Sequence, residues 1–295
     1  MARRPLPSQR EVHSYLKERR NWGRWGPDDQ AGAINLVSPQ KRVAAAALVK
    51  TGRAVSLSRD FPKGPGPTNP FPAQHWVRWL PVGKGGASVD YLGIACHGFA
   101  ATHIDALCHQ WGEDGMWNGR DPAKELTGEG SRWGGIEQWR NGIITRGVFL
   151  DVPRHRGEPY VTQDRPIHGW ELEDVLQRQR VVLQPGDALM VYGGREAWLA
   201  ANPDWRPPTR PGLHASCMSF LRDHDVAVLV WDMHDLPFSV HPVIWAYGMA
   251  VIDNALLEPL ARACAAEGRY EFMLLVAPLP IAGGTGSPVN PIAVF

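Results

Sequence analysis

Cysteine is scarce in this chain: Cys96, Cys108, Cys217 and Cys264 are the only four in 295 residues, and none forms a Cys-x-x-Cys pair. A disulfide scaffold is excluded, and reduced, mostly buried thiols are expected. No apolar run approaches the ~20 residues needed to span a bilayer, and no apolar segment follows the basic N-terminus Met1-Ala2-Arg3-Arg4. A soluble, unexported, cytoplasmic protein is therefore expected. An excess of charge of either sign is also missing, because 31 Lys and Arg against 30 Asp and Glu leave a formal charge of +1. Without a basic field to hold a phosphate backbone, neither nucleic acid nor membrane is an expected partner. Internal repeats and low-complexity linkers are absent too, which favours one α/β unit over residues 38–295, preceded by an arm at 1–37, over two separable domains.

Tryptophan is abundant instead, at 13 residues against 8 Phe and 6 Tyr, together with 31 Gly and 26 Pro. The 44% hydrophobic content is enough for a sizeable core. In the arm, Asn21-Trp22-Gly23-Arg24-Trp25-Gly26-Pro27 is too punctuated for a regular element. Ser38-Pro39 then supplies an N-cap and a first-turn proline for a helix through the Ala-rich run ending near Lys50. Residues 61–72, with five prolines, read as a long loop of the kind that rims a site. From residue 148 onward, short β-rich runs (148–152, 188–192, 226–231, 272–277) alternate with helical ones (171–180, 213–224, 256–266), which is α/β alternation. Asp232 follows one of these strands directly, at a strand end of the kind that often borders a ligand crevice.

Chemistry concentrates between positions 97 and 109, where His97, His103 and His109 accompany Asp105. If residues 102–105 are extended, His103 and Asp105 project from one face, because strand side chains alternate with period 2. Imidazoles with a carboxylate suit Zn²⁺, Mn²⁺ or Fe²⁺, and the absence of clustered thiolates argues against a structural zinc site. Ordinary hydrogen-bonding histidines are the alternative, and spacing alone leaves the two readings even. His241 and Asp253 form a second group, although Asp253 by itself reads more naturally as a helix N-cap. Cys108 beside His109 is a poor thiol–base pair, since adjacent strand residues point to opposite faces.

The stretch Thr102-His103-Ile104-Asp105-Ala106-Leu107-Cys108-His109 resembles the T-H-x-D-x-x-x-H core of the cyclase family of metal-dependent hydrolases, which includes arylformamidases and isatin hydrolases. Trp22 to Asn35, Pro185-Gly186-Asp187, Val228 to Asp232, the His241 to Asp253 spacing and Gly283-Gly284-Thr285-Gly286-Ser287-Pro288 fall in the family's order. The resemblance implies an α/β fold of the swivelling β/β/α type with a mixed central sheet. It also implies one or two divalent ions, Zn or Mn. It matches His103, Asp105, His241 and Asp253 to metal ligands and His109 to the proton donor and acceptor. Phe99 stands where the family usually has a further histidine, with His97 two residues earlier as a substitute ligand, and Asp253 stands where Glu is usual. Trp22 and Trp25 are the expected substrate contacts.

These residues point to a small-molecule enzyme, a hydrolase cleaving a C–N amide, lactam or formamide bond with metal-activated water. A metal-assisted cyclase or lyase shares every one of these residues, and a metal-depleted binding protein is the third reading. A homo-oligomer, dimer or tetramer, is expected from the long arm.

Overall fold

The structure is a computed structural model that describes residues 7–205, 211–235 and 240–295; the first six residues of the arm lie outside the described residues. The strands are β1 (Ala54–Ser56), β2 (Gln74–Val82), β3 (Gly85–Gly93), β4 (His103–Asp105), β5 (Leu126–Thr127), β6 (Gly130–Ser131), β7 (Ile143–Asp151) and β8 (Ala188–Tyr192). Then come β9 (Gly212–Leu213), β10 (Val228–Trp231), β11 (His234–Asp235), β12 (Ala250–Asp253), β13 (Glu271–Val276), β14 (Gly286–Pro288) and β15 (Ile292–Val294). The helices are α1 (Gln9–Glu18), α2 (Pro39–Ala46), α3 (Pro122–Glu125), α4 (Val152–Arg156), α5 (Gly169–Gln179), α6 (Arg195–Ala201), α7 (Cys217–Asp223), α8 (Val243–Tyr247) and α9 (Glu258–Glu267). Among the described residues no helix is long and apolar enough to cross a membrane.

Nine strands form one mixed sheet in the order β1-β15-β13-β7-β8-β10-β12-β4-β14. Its centre, β7-β8-β10-β12, is parallel, and antiparallel strands extend it on both sides. The centre follows from the sequence: β8 and β10 are continuous apolar runs, β12 is apolar up to its last residue, Asp253, and every residue of the three is buried, as parallel strands covered on both faces must be. The alternating burial of β13 marks a strand with only one covered face. The α/β alternation expected from residue 148 onward is present, and the strand expected at 188–192 is β8 itself.

The arm contains a regular element that its Gly- and Pro-rich part obscures. Ser8 and Glu11 form a capping box at the start of α1, which buries Val12 and Leu16. The arm then lies on the body through backbone and indole contacts. Asn21 donates to the Tyr247 carbonyl at 3.0 Å, Trp117 to the Asp29 carbonyl at 2.9 Å and Trp139 to the Ala31 carbonyl at 3.1 Å. Arg24 grips Asp225 with two bonds of 2.6 and 2.8 Å. Beneath the helix expected after Ser38, which is α2, the buried Asp187 carboxylate of Pro185-Gly186-Asp187 is paired with Lys41 and Arg146. That motif therefore anchors the sheet's flank.

The arm also docks through a close approach of two backbones. Ala33 donates to the Gly248 carbonyl at 2.7 Å, and Gly32 holds φ 61°, the left-handed region. A Cβ on Gly32 would meet the Gly248 oxygen at 2.2 Å. Gly32→Ala should therefore destabilise the fold by more than ~1 kcal/mol, read as a lower urea midpoint; an unchanged midpoint would show that the arm does not dock this way.

Candidate metal centre

The site is built where the antiparallel extension meets the parallel centre. Strand β4 lies between β12 and β14, with His103 opposite both Asp253 and Pro288, and Asp105 opposite Val251 and Gly286. As period 2 requires, His103 and Asp105 share a face, and the register brings Asp253 of β12 beside His103. Asp253 is not a helix cap: it ends β12, and α9 begins only after Leu257. The cap reading fails because the polypeptide between Asp253 and α9 takes a further bend, with Asn254 at φ 55°.

All six histidines and aspartates expected at the site come together. His97 and Asp105 are joined by a 2.9 Å hydrogen bond from Nδ1 to Oδ1, and His97 Nε2 lies 3.1 Å from the Thr285 hydroxyl. His103 Nδ1 lies 2.9 Å from the Ala101 carbonyl, so it carries the proton and donates, leaving the Nε2 lone pair facing inward. That Nε2 is 3.5 Å from Asp105 Oδ1 and 3.9 Å from Asp253 Oδ2. His241 Nε2 lies 3.3 Å from Asp253 Oδ2 and 3.9 Å from Asp105 Oδ2, while His109 Nε2 is 3.8 Å from Asp105 Oδ2. The rings of His97 and His109 stack in parallel, with centroids 4.1 Å apart. Burial pushes the His109 imidazole down to about 4, against the opposing pull of Asp105.

Several features indicate that these residues fit a divalent cation. Asp105 is completely buried, yet its Oδ2 has no hydrogen-bond partner. Its ion-pair partners among the described residues are imidazoles alone. A buried carboxylate left in that state is costly. The Nε2 lone pair of His103 faces carboxylate oxygens, an acceptor–acceptor arrangement that only a cation between them makes favourable. Two donors bound at ~2.0–2.1 Å to a tetrahedral zinc lie roughly 3.4 Å apart, within the range of separations found here. Two triads have ligand atoms within 4.8 Å of one another: His97, Asp105 and His109, and His103, Asp105 and Asp253. Asp105 belongs to both, the position of a bridging carboxylate.

Supporting residues surround the cluster. Trp231 donates its indole N–H to Asp253 Oδ1. Asn254 donates to the Gly98 and Ala101 carbonyls at 2.6 and 3.0 Å, and Arg195 to the Phe99 carbonyl and to Asn254 Oδ1, both at 2.6 Å. The bend between His97 and His103 is thereby held, with Gly98 at φ 124°, and this bend lets His97 reach Asp105 although Phe99 occupies the usual position. Gly286 has to be glycine, since a Cβ there would lie 2.6 Å from both His97 Cε1 and the Ile104 oxygen. Sequence reasoning placed Thr285, Gly286 and Trp231 in segments of the family's order without a role, and it missed Asn254 and Arg195. Only the position of Asn254, next to Asp253, could have drawn attention to one of these two.

Other expectations fall outside the cluster. Trp22 donates to the Trp245 carbonyl at 2.6 Å and packs edge-on against its ring, and Trp25 lies against Trp117. Both take part in the docking of the arm on the body. Asp232, at the end of β10, is held within the fold: its carboxylate accepts from the backbone N–H groups of Gly193, Gly194 and Arg195 at 2.7–2.9 Å, at the start of α6. Cys108 is buried and burial pushes its thiol up to about 11, so it is inert at neutral pH. The loop after residue 60 rims a cavity of 290 Å³, where Phe61 and Pro62 face Ala101, Thr102 and Pro288 beside β4.

No curated protein matches the sequence. Among solved structures, a protein described as a novel cyclase is 30% identical, with a TM-score of 0.83 over 95% of this chain and 99% of that one. Isatin hydrolase A from Ralstonia solanacearum shares the fold at 16% identity, with a TM-score of 0.55 over 88% of this chain and 98% of its own. An isatin hydrolase bound to the product analogue thioisatinate is similar at 15% identity, with a TM-score of 0.54 over 87% of this chain and 98% of its own. A family model described as putative cyclase matches residues 55–236, well over half of the sequence, and on that match and the 30% identity the chain belongs to the Cyclase family.

Proposed function

We propose that this chain is a metal-dependent hydrolase that opens the C–N amide bond of a small cyclic or aromatic substrate, a lactam or formamide. The observation that carries the reading is the buried, unpartnered Asp105 Oδ2, ringed by the imidazoles of His109 and His241 and sharing its site with Asp253. His103, Asp105, His241 and Asp253 would hold the ion, with His97 orienting Asp105. When bound, such an ion supplies Lewis acidity, polarising a carbonyl oxygen and lowering the pKa of water from ~15.7 toward ~7. Completeness of this donor set despite Phe99 argues against a metal-depleted binding protein. The isatin hydrolases among the structural neighbours support the choice of a cyclic amide over the lyase or cyclase alternatives.

His109 is the proton carrier of the proposal. Its side chain is 23% exposed while Asp105 is fully buried, so it stands between the carboxylate and solvent. From there it takes a proton from the attacking water and returns it to the leaving nitrogen. The parallel stack with His97 fixes the plane of the ring, and the His97–Thr285 contact fixes His97 in turn. Charge developing on the substrate oxygen is met in a dry environment, because β4 is buried along its whole length.

Purified without chelator, the wild-type chain should carry Zn or Mn by elemental analysis and hydrolyse aryl formamides or cyclic amides such as isatin. His103→Ala and Asp105→Ala should lose the metal, whereas His109→Ala should keep it and lose roughly 10²–10⁴-fold in turnover. Metal retained at full stoichiometry in both of the first two variants would sink the ligand assignment, and unimpaired turnover in His109→Ala would sink the proton carrier.

Asn254 and Arg195 are positioning residues for the same site, since they grip the bend that carries His97 and His103. Asn254→Ala should weaken metal affinity by roughly 10–100-fold in a chelator-competition titration while leaving the circular dichroism spectrum unchanged. Affinity equal to that of the wild type would show the bend to be set without it.

A further inference from the structure

Helix α6 supports the metal centre through its first residue, Arg195, and its last turn borders a separate cavity of about 590 Å³. None of the residues assigned to the metal centre lines this cavity, and its volume is in the ~300–1,000 Å³ range of small-molecule sites. Three aromatic side chains form its walls: Trp198 on α6, Trp205 just beyond the helix, and Tyr160 on the loop that follows α4. Trp198 and Trp205 meet edge to face, with ring centroids 5.1 Å apart and ring planes inclined at 72°.

The walls are fixed by the fold itself. Val161 donates its backbone N–H to the Gly193 carbonyl at 2.8 Å, which ties the Tyr160 loop to the start of α6. Gly194, at φ 82°, approaches the same loop so closely that a Cβ on it would lie 2.6 Å from the Pro159 oxygen. Tyr160 and Trp198 both pack against the apolar core. On the other side, the Trp205 backbone N–H donates to the Asn202 carbonyl at 3.0 Å, and the Asn202 side-chain amide donates to the Trp198 carbonyl at 2.8 Å.

The chemistry of the lining favours positive charge. Asp204 adds a carboxylate at the exposed rim, and among the described residues no Lys, Arg or His lines the cavity. Aromatic faces are the negative part of the ring quadrupole and attract a cation within ~6 Å of the centroid. A planar ring can stack on only one of two indoles inclined at 72°, whereas a rounded onium group touches both. An anionic ligand would meet the Asp204 carboxylate with no cation to offset it.

We propose that this cavity binds an organic cation of the alkylated ammonium class, its head group in the corner of Trp198 and Trp205 and Asp204 as the counter-charge. The volume leaves room beyond the head group for the remainder of the ligand, against Tyr160 and Gln163. The inference is independent of the hydrolytic reading, because it uses no residue of the metal centre.

Calorimetric titration of the full chain with choline, a probe for the head group, should give saturable binding. The uncharged isostere of choline, with carbon in place of nitrogen, should bind roughly tenfold more weakly. Trp198→Ala and Trp205→Ala should each weaken choline binding by roughly 5–30-fold, and Asp204→Asn by roughly 2–5-fold, with unchanged circular dichroism spectra. Asp105→Asn should leave choline affinity as it is. Absence of saturation at ~50 mM choline, an isostere that binds as tightly as choline, or wild-type affinity in Trp205→Ala would each overturn the proposal. Affinity lost in Asp105→Asn instead would place the cation at the carboxylates of the metal centre and overturn it equally. Trp198 packs against the core and Trp205 is not among the core residues, so Trp205→Ala and the isostere decide should Trp198→Ala fail to fold. None of these measurements reads turnover, so their failure leaves the hydrolytic reading untouched.

Discussion

One carboxylate constrains this structure more than any other group. Asp105 sits at the end of a three-residue strand in which every residue is buried, and its Oδ1 is satisfied by His97 while its Oδ2 is not satisfied by the polypeptide. Ionised carboxylates belong in water unless they are paired. Holding one here requires a strand that cannot shift, and β4 is fixed by ladders on both edges, to β12 and to β14. Those ladders rest on the fully buried parallel strands beside them. The apolar centre thus supplies the rigidity, and the antiparallel extension uses it to keep a charge where the chain alone does not want one.

The same logic explains the different fates of two aspartates at the ends of neighbouring strands. Asp232 ends β10 and Asp253 ends β12, and both are buried. Asp232 receives three backbone N–H bonds at the start of α6, yet burial still pushes its carboxyl up to about 6. It is an anchor, consistent with the preference for negative charge at a helix start. Asp253 takes an indole N–H on one oxygen and turns the other toward His103 and His241. What surrounds each carboxylate, not its position at a strand end, decides whether it supports the fold or faces the site.

Local pattern made much of this legible, and non-local pairing hid the rest. Alternation put His103 and Asp105 on one face, and the apolar runs of β8 and β10 stood out as buried strands. Residue spacing could not show that Asp253 lies across from His103, because that register joins strands 150 positions apart. The role of Asn254 depends on the same pairing. His97 seemed misplaced by two residues until the bend at Gly98 was fixed by Asn254 and Arg195. The antiparallel ribbon of β2 and β3 was missed for a different reason: β2 is apolar on both faces and contains Pro81, so it lacks the alternation that identifies a strand with one wet side.

Tryptophan abundance finds its explanation in the two ends of the indole. The ring brings apolar area while its N–H needs one acceptor, which suits places where a polar backbone must be covered without being stranded. Trp117 and Trp139 meet the arm in this way, each donating to one of its carbonyls, and Trp22 does so in the reverse direction, donating from the arm to Trp245. Trp231 applies the same chemistry to Asp253, holding one of its oxygens while the other faces His103 and His241. Trp76 and Trp79 on the ribbon and Trp111 outside it break the pattern, at 52%, 81% and 51% exposure. Indole surface in water brings none of the stabilisation that it brings in the arm.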